Sequence, residues 1–156
     1  MKVTLIQMDS TGTRKENEEK ALKFMKQAVN EHTDIICLSE SFVYWGEQYE
    51  QRQCTLNDIV KYQDFARENN VNIILGSVNL IDENSDRTTN TCFVINRNGN
   101  IVHRYDKKYM YKVNRKNLIV DETMRTIPRR NKWYIWVRWS KNGCRNMFWF
   151  KISGIF

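Results

Sequence analysis

Asn98-Gly99 stands between two runs of strand-like sequence, and that pairing limits the chain more than any other feature. Before it, Cys92, Val94 and Asn96 alternate with Phe93 and Ile95; after it, Ile101 to Tyr105 read as a return strand. Period-two alternation on both sides of Asn-Gly predicts a β-hairpin, and the dipeptide predicts a type I′ turn, whose two central residues need φ > 0. The return strand ends in Asp106-Lys107-Lys108. A lysine leaving a core strand at the lip of a sheet is placed to face a ligand, so Lys107 is a candidate site residue; the plainer reading is a solvated strand end.

The chain before the hairpin alternates strands and helices. Residues 1–8 enter directly into a strand in which Val3, Leu5 and Gln7 alternate with Thr4 and Ile6. Residues 14–31 place Leu22, Met25 and Val29 on one helical face, with Ala21, Phe24 and Ala28 beside it, and an acidic and basic outer face. Residues 34–38 are a short apolar run expected to be a buried central strand. A second helix is expected from Thr55, with Asp58 three residues on as a capping-box start. The next strand is expected over 71–75, ending at Gly76-Ser77, followed by a polar loop over 82–89. The order β-α-β-α-β-β-β is that of an α/β layered domain. Glu40 follows the 34–38 strand, at the carboxyl end where such folds gather ligand chemistry. A partly buried carboxylate there would suit a general base; a loop or helix cap is the simpler alternative.

Charge divides the chain. Residues 1–112 hold 15 Lys/Arg and 16 Asp/Glu, whereas residues 113–156 hold 10 Lys/Arg and only 2 Asp/Glu, so the whole net charge of +7 originates in the last segment. Trp133, Trp136, Trp139 and Trp149 lie there too. Two parts are therefore expected: 1–112, an ordered α/β unit, and 113–156, an atypical basic, Trp-rich tail. No apolar run reaches membrane-spanning length and the N-terminus carries no signal-peptide pattern. Cys37, Cys54, Cys92 and Cys144 are far apart, with no C-x-x-C pair to suggest zinc or a disulfide framework, which fits a cytoplasmic setting. His32 and His103 are isolated and suggest no metal centre.

Asn90-Thr-Cys-Phe-Val-Ile, the Asn98-Gly99 turn and Tyr105-Asp-Lys107 together resemble the nitrilase superfamily, the carbon–nitrogen hydrolases. Their pattern is an N-[ST] strand, a D/N-G turn, a second strand and Y-x-K carrying a catalytic lysine. Tyr109 and Met110 stand where His and Leu usually follow, and Ser39 replaces the proline that usually precedes the base glutamate. The resemblance covers residues 1 to about 112 and implies a partial nitrilase-like α-β-β-α sandwich, roughly half of the family's domain. It implies Glu40 as general base and Lys107 as stabiliser of a tetrahedral intermediate. The substrate class would be a small non-peptide amide, N-carbamoyl compound or nitrile. No metal or organic cofactor is implied, and the complete protein would pair as a homodimer.

The family's third catalytic residue is a nucleophilic cysteine in a pattern like G-x-G-[IV]-C-[FY]-D-[LI]-[RK]-F-P-E. Cys144, in Lys141-Asn-Gly-Cys-Arg-Asn-Met147, fits that pattern poorly. The genetic code offers another source. Moving the frame forward by one nucleotide turns Met147 (AUG) and the first base of Phe148 into UGU, a forced cysteine, and Trp149 with Phe150 into a forced glycine. With permitted codons elsewhere, residues 142–155 then read M-G-V-G-I-C-F-G-L-K-F-P-E-Y. The expectation is a tail frameshifted from a point between about 113 and 140, a chain that stops early, and no activity as written for want of the nucleophile. The alternative is a non-enzymatic α/β module whose tail, with Arg129, Arg130 and Lys132 among the tryptophans, binds phosphates and stacks bases of a nucleic acid.

Overall fold

The computed structural model describes residues 1–116, 118–129, 135–141 and 144–150, with side chains up to Arg129 apart from Leu118. Its main element is a six-stranded sheet. β1 (Val3–Ile6), β2 (Ile35–Leu38) and the first part of β4 (Asn72–Ile81) run parallel; β5 (Thr88–Ile95) and β6 (Ile101–Asp106) continue antiparallel, in the order β1-β2-β4-β5-β6. The two-residue β3 (Gln53–Cys54) pairs with the far end of β4. Helices α1 (Arg14–Asn30) and α2 (Asn57–Glu68) lie on one face. Two short hairpins follow, β7 (Lys112–Arg115) with β8 (Leu118–Asp121) and β9 (Ile135–Lys141) with β10 (Cys144–Phe150).

α1 begins with a full capping box, Thr13 and Glu16 each satisfying the other's backbone N–H. One turn on, Asn17 is fully buried, and its Nδ2 donates to the carbonyls of Ser10 (2.9 Å), Gly12 (3.0 Å) and Val43 (3.3 Å). A buried amide is retained only where it is bonded; here it ties the loop after β1 to the loop after Glu40. Arg14, paired with Glu18 on its own helix (3.0 Å), joins α1 to α2 through Asp58 (2.6 Å). Between helices and sheet, Met25, Ile36, Phe42, Ile59, Tyr62, Ile73, Leu75 and Phe93 form the core.

The opposite face is also apolar. Ile35, Ile74 and Cys92 cluster there with Cys37 and Tyr105, continuing at the edge into Val3 and Leu5. Leu5 is 76% exposed. Alternation along β1 thus points its apolar pair at this second face, and Ile6 at the core.

Four local expectations change. The hairpin turn is not type I′, since only Gly99 has positive φ (78°). Gly99 N–H donates to Asn96 O (2.9 Å), Asn96 N–H donates to Asn100 O (2.9 Å), and the ladder shifts between Val94 and Ile95. This is a type I-like turn closed by a left-handed glycine, and the Asn96 side chain, accepting from the N–H groups of Asn98 and Asn100, selects it. β4 runs past Gly76-Ser77 to Ile81, because a bulge between Leu75 and Val78 absorbs the irregularity instead of ending the strand. β5 takes up Thr88 and Thr89, shortening the expected loop. At α2 only half of the capping box forms: Asp58 accepts from Thr55 N–H (2.7 Å), and the helix starts at Asn57.

Candidate active site

Glu40 leaves the end of β2 and forms an isolated parallel bridge with Ser77 in the β4 bulge. Gly76 permits this approach: a Cβ there would lie 2.0 Å from Ser39 O and 2.6 Å from Leu38 O. Ser41 then takes φ 53°, held by its N–H donating to Ser77 O at 3.0 Å, which swings the chain away and leaves Glu40 at the rim. The hairpin delivers Lys107 from the end of β6, where its N–H donates to Asn90 O on β5 at 2.8 Å.

The two candidate residues meet. Lys107 Nζ lies 3.1 Å from Glu40 Oε1, and Asn90 Nδ2 donates to the same carboxylate oxygen at 2.7 Å. A third group completes the cluster. Glu122, in the 3₁₀ turn after β8, sits 3.1 Å from Lys107 Nζ and accepts from Tyr111 N–H at 2.7 Å, while its own N–H donates to Tyr111 O. Sequence reasoning missed Glu122 and Asn90. Glu122 did leave a signal: Asp121 and Glu122 are the two acidic residues in the otherwise acid-free segment 113–156.

Glu40 is more open than a buried base would be: its side chain is 58% exposed, against 23% for Lys107. The reason is its place beside the second sheet face, which no described element covers. For Lys107, burial works against the ammonium, but hydrogen bonds and charge from Glu122 and Glu40 outweigh it and hold the pKa above its usual 10.5. A raised lysine pKa contributes stability that is complete below about 10.5 and is lost as pH rises through the folded value. Glu122→Gln should therefore lower the Lys107 pKa, which a side-chain NMR titration reads directly; an unchanged titration would show that Glu122 does not support the cation.

The cysteines with described side chains are chemically quiet. Burial pushes the Cys37 thiol up to about 11 and those of Cys54 and Cys92 to about 12. Cys144 opens strand β10, and its backbone partner is Lys141. Met147 lies within the same strand opposite Arg138. Of the basic tail cluster, Arg129 is paired with Asp82, and the side chains of Arg130, Lys132 and the four tail tryptophans lie outside the described residues.

Two cavities flank the cluster. One, of about 410 Å³, has Glu40 and Lys107 at its end and a floor of Leu5, Cys37, Ile74 and Cys92 on the second sheet face. The other, of about 390 Å³, shares Asn90 with it and is walled by Trp45, Tyr49, Arg52, Glu122 and Arg125. A carboxylate hydrogen-bonded to an ammonium beside an apolar cleft can move a proton and stabilise an oxyanion.

The family profile described as carbon-nitrogen hydrolase matches residues 2–135. The chain belongs to the carbon–nitrogen hydrolase family. This hydrolase match runs on past the composition break at residue 113. Among curated relatives, a deaminated glutathione amidase of Dictyostelium discoideum is 29% identical over 123 residues, covering 72% of this chain and 42% of the relative. A nitrilase homolog 2 of the same organism is 26% identical over 118 residues, covering 73% and 36%. The carbon–nitrogen hydrolase chain thus spans well under half the length of these relatives. Among solved structures, the NitFhit protein of C. elegans superposes with a TM-score of 0.72 at 19% identity, covering 82% of this chain and 33% of that one. An amidase from Nesterenkonia sp., whose active-site cysteine carries the acetamide moiety of fluoroacetamide, gives 0.68 at 13% identity, covering 89% and 52%. At such identities these likenesses show the fold: a partial nitrilase-type α/β sandwich.

Proposed function

We propose that this chain is the N-terminal half of an amidase that cleaves small non-peptide amides through a glutamate, a lysine and a cysteine, and that the cysteine is lost from the chain as written. The observation that carries the reading is the Glu40–Lys107–Glu122 cluster, with Lys107 Nζ bonded to both carboxylates at 3.1 Å. In this mechanism Glu40 accepts the thiol proton as sulfur attacks the amide carbon, and Lys107 balances the charge on the oxygen of the tetrahedral intermediate. Glu40 returns the proton to the departing amine, leaving a thioester, and then deprotonates the water that hydrolyses it. Glu122 and Asn90 hold the lysine and the base in register. Amides are favoured over nitriles by the names of the relatives, which include amidases.

The nucleophile belongs at the position now occupied by Met147, in the forward-shifted frame. Both the family match to residue 135 and the Arg129–Asp82 pair favour a frame departure between 129 and 142. The gene tests this directly. The rest of a hydrolase should follow in the shifted frame, and the codons of residues 142–155, read one nucleotide forward, should spell the nucleophile motif. A gene ending after codon 156 with no such continuation would overturn the frameshift and leave the 156-residue chain to be explained as it stands.

A further inference from the structure

We propose that Asp106 and Thr91 form a latch on the helix-facing side of the sheet that sets the position of Lys107 on the other side, which makes Asp106 a positioning residue for the reaction. Its part in turnover rests on the amidase reading; its hold on Lys107 does not.

β6 is the last strand in the sheet order, and among the described residues only β5 pairs with it. Its anchoring is unusual. Of its six residues, Ile101 to Asp106, only Asp106 is buried. Ile101 and Val102, the apolar pair that would ordinarily hold such a strand, are exposed. The turn does not fix the strand either, because the ladder shifts between Val94 and Ile95, at the turn end of the hairpin. The far end, where Lys107 sits, therefore needs its own register mark.

A buried carboxylate supplies it. Phe93, opposite Arg104, belongs to the helix-side core, so Asp106, opposite Thr91, lies on that same side. Thr91 is fully buried, and its Oγ1 donates to Asp106 Oδ1 at 2.6 Å; Arg104 Nε donates to the same oxygen at 2.9 Å. The Thr91 hydroxyl gives its one proton to the carboxylate, so Thr89 is the donor in the 2.8 Å bond between the two threonines. Arg104 Nη2 donates to Thr89 Oγ1 at 3.4 Å and closes the ring. An apolar pair would hold two strands at least as well as a buried carboxylate. What the carboxylate adds is direction, since bonds of fixed length and angle resist the sliding that methyl contacts permit. One residue on, about 3.3 Å along the strand, Lys107 N–H donates to Asn90 O. On the opposite side of the sheet, Asn90 Nδ2 and Lys107 Nζ both reach Glu40 Oε1, at 2.7 and 3.1 Å. With the latch undone, the end of β6 slackens and Lys107 moves off Glu40 and Glu122.

The test reads Lys107 itself. Burial works against its ammonium, but Glu122 and Glu40 hold its pKa above 10.5 in the 156-residue chain. Thr91→Val, which removes one hydroxyl and no charge, and Asp106→Ala should each bring the side-chain NMR titration down toward 10.5. Asp106→Asn, whose Oδ1 can accept from both Thr91 and Arg104, should keep it raised. In the frame-restored protein the first two should lower kcat for a small amide at least about tenfold and leave KM within about twofold, because a displaced cation weakens stabilisation of charge that develops after binding. Asp106→Asn should recover most of that loss. A latch that only stabilises the fold would lower the melting midpoint and leave the Lys107 titration and kcat unchanged, and that result overturns the proposal. So does an Asp106→Asn titration as low as that of Asp106→Ala, which would make the charge of the carboxylate, and not its bonds, the cause. Thr91→Val keeps the side-chain shape and decides if Asp106→Ala misfolds. If the restored protein cleaves no amide, the amidase reading fails, and the titration in the 156-residue chain decides the latch by itself.

Discussion

Lys107→Ala in the frame-restored protein should lower kcat/KM for a small amide by about 10²–10³, the usual loss when one donor to a developing oxyanion is removed. Glu40→Gln should cost about 10²–10⁴, because proton transfer in both half-reactions passes through it. The two residues share a hydrogen bond at 3.1 Å, so the double variant should lose far less than the product of the single losses. Both effects should fall mainly on kcat, since the groups act on charge that develops after binding. The chain as written should release no ammonia, because Glu40 and Lys107 can polarise an amide but supply no covalent nucleophile. Activity in the 156-residue chain that disappears with Cys144→Ala would instead make Cys144 the nucleophile and end the frameshift account. Lys107 should remain charged well beyond neutrality, so any alkaline loss of activity below pH 10 must come from another group.

Gly76→Ala should be the most damaging single methyl added to this molecule. The new Cβ would meet backbone atoms, Ser39 O at 2.0 Å and Leu38 O at 2.6 Å, and backbone cannot step aside as a flexible side chain can. Overpacking typically costs about 1–3 kcal/mol, and a clash with two carbonyls belongs at or above the upper end. Relief requires the end of β2 to separate from the β4 bulge, where Glu40 and Ser77 meet. Urea unfolding should show a large fall in midpoint, and any folded fraction should have lost the Glu40–Lys107 contact. A variant with unchanged stability would mean that the strand ends are looser than this packing requires.

Much of this fold is legible in local pattern because its elements obey local rules. The apolar run 34–38 becomes β2, an interior strand next to the β1 edge, with β4 at the centre, and the Met25 face of α1 packs inward. Lys107 and Glu40 were visible as strand-end residues, and the family motifs around them set their order. What the sequence hid depends on contacts between distant segments. The left-handed Ser41 and the close pass at Gly76 arise only when β2 meets the β4 bulge. Glu122 comes to Lys107 through the β7–β8 pair, whose strands are only four residues each and whose segment has the composition of a tail. The apolar second face was half visible: the alternation of Val3 and Leu5 is plain, but which side of the sheet the helices cover is a tertiary matter.

The buried thiols make the missing cysteine countable. Cys37, Cys54 and Cys92 all have pKa values raised to about 11 or 12, so near neutral pH almost none of their sulfur is thiolate. A brief pulse of a mild alkylating reagent should pass them by in the folded protein. In the restored frame the codon of Cys144 is itself read differently, which removes that thiol as well. A catalytic cysteine beside Glu40 would then be the reactive sulfur of this half of the molecule. Intact-mass spectra before and after the pulse become a head-count of assembled sites: one adduct placed at the restored cysteine for each competent chain, and none on Cys37, Cys54 or Cys92. Such a count needs no knowledge of the substrate.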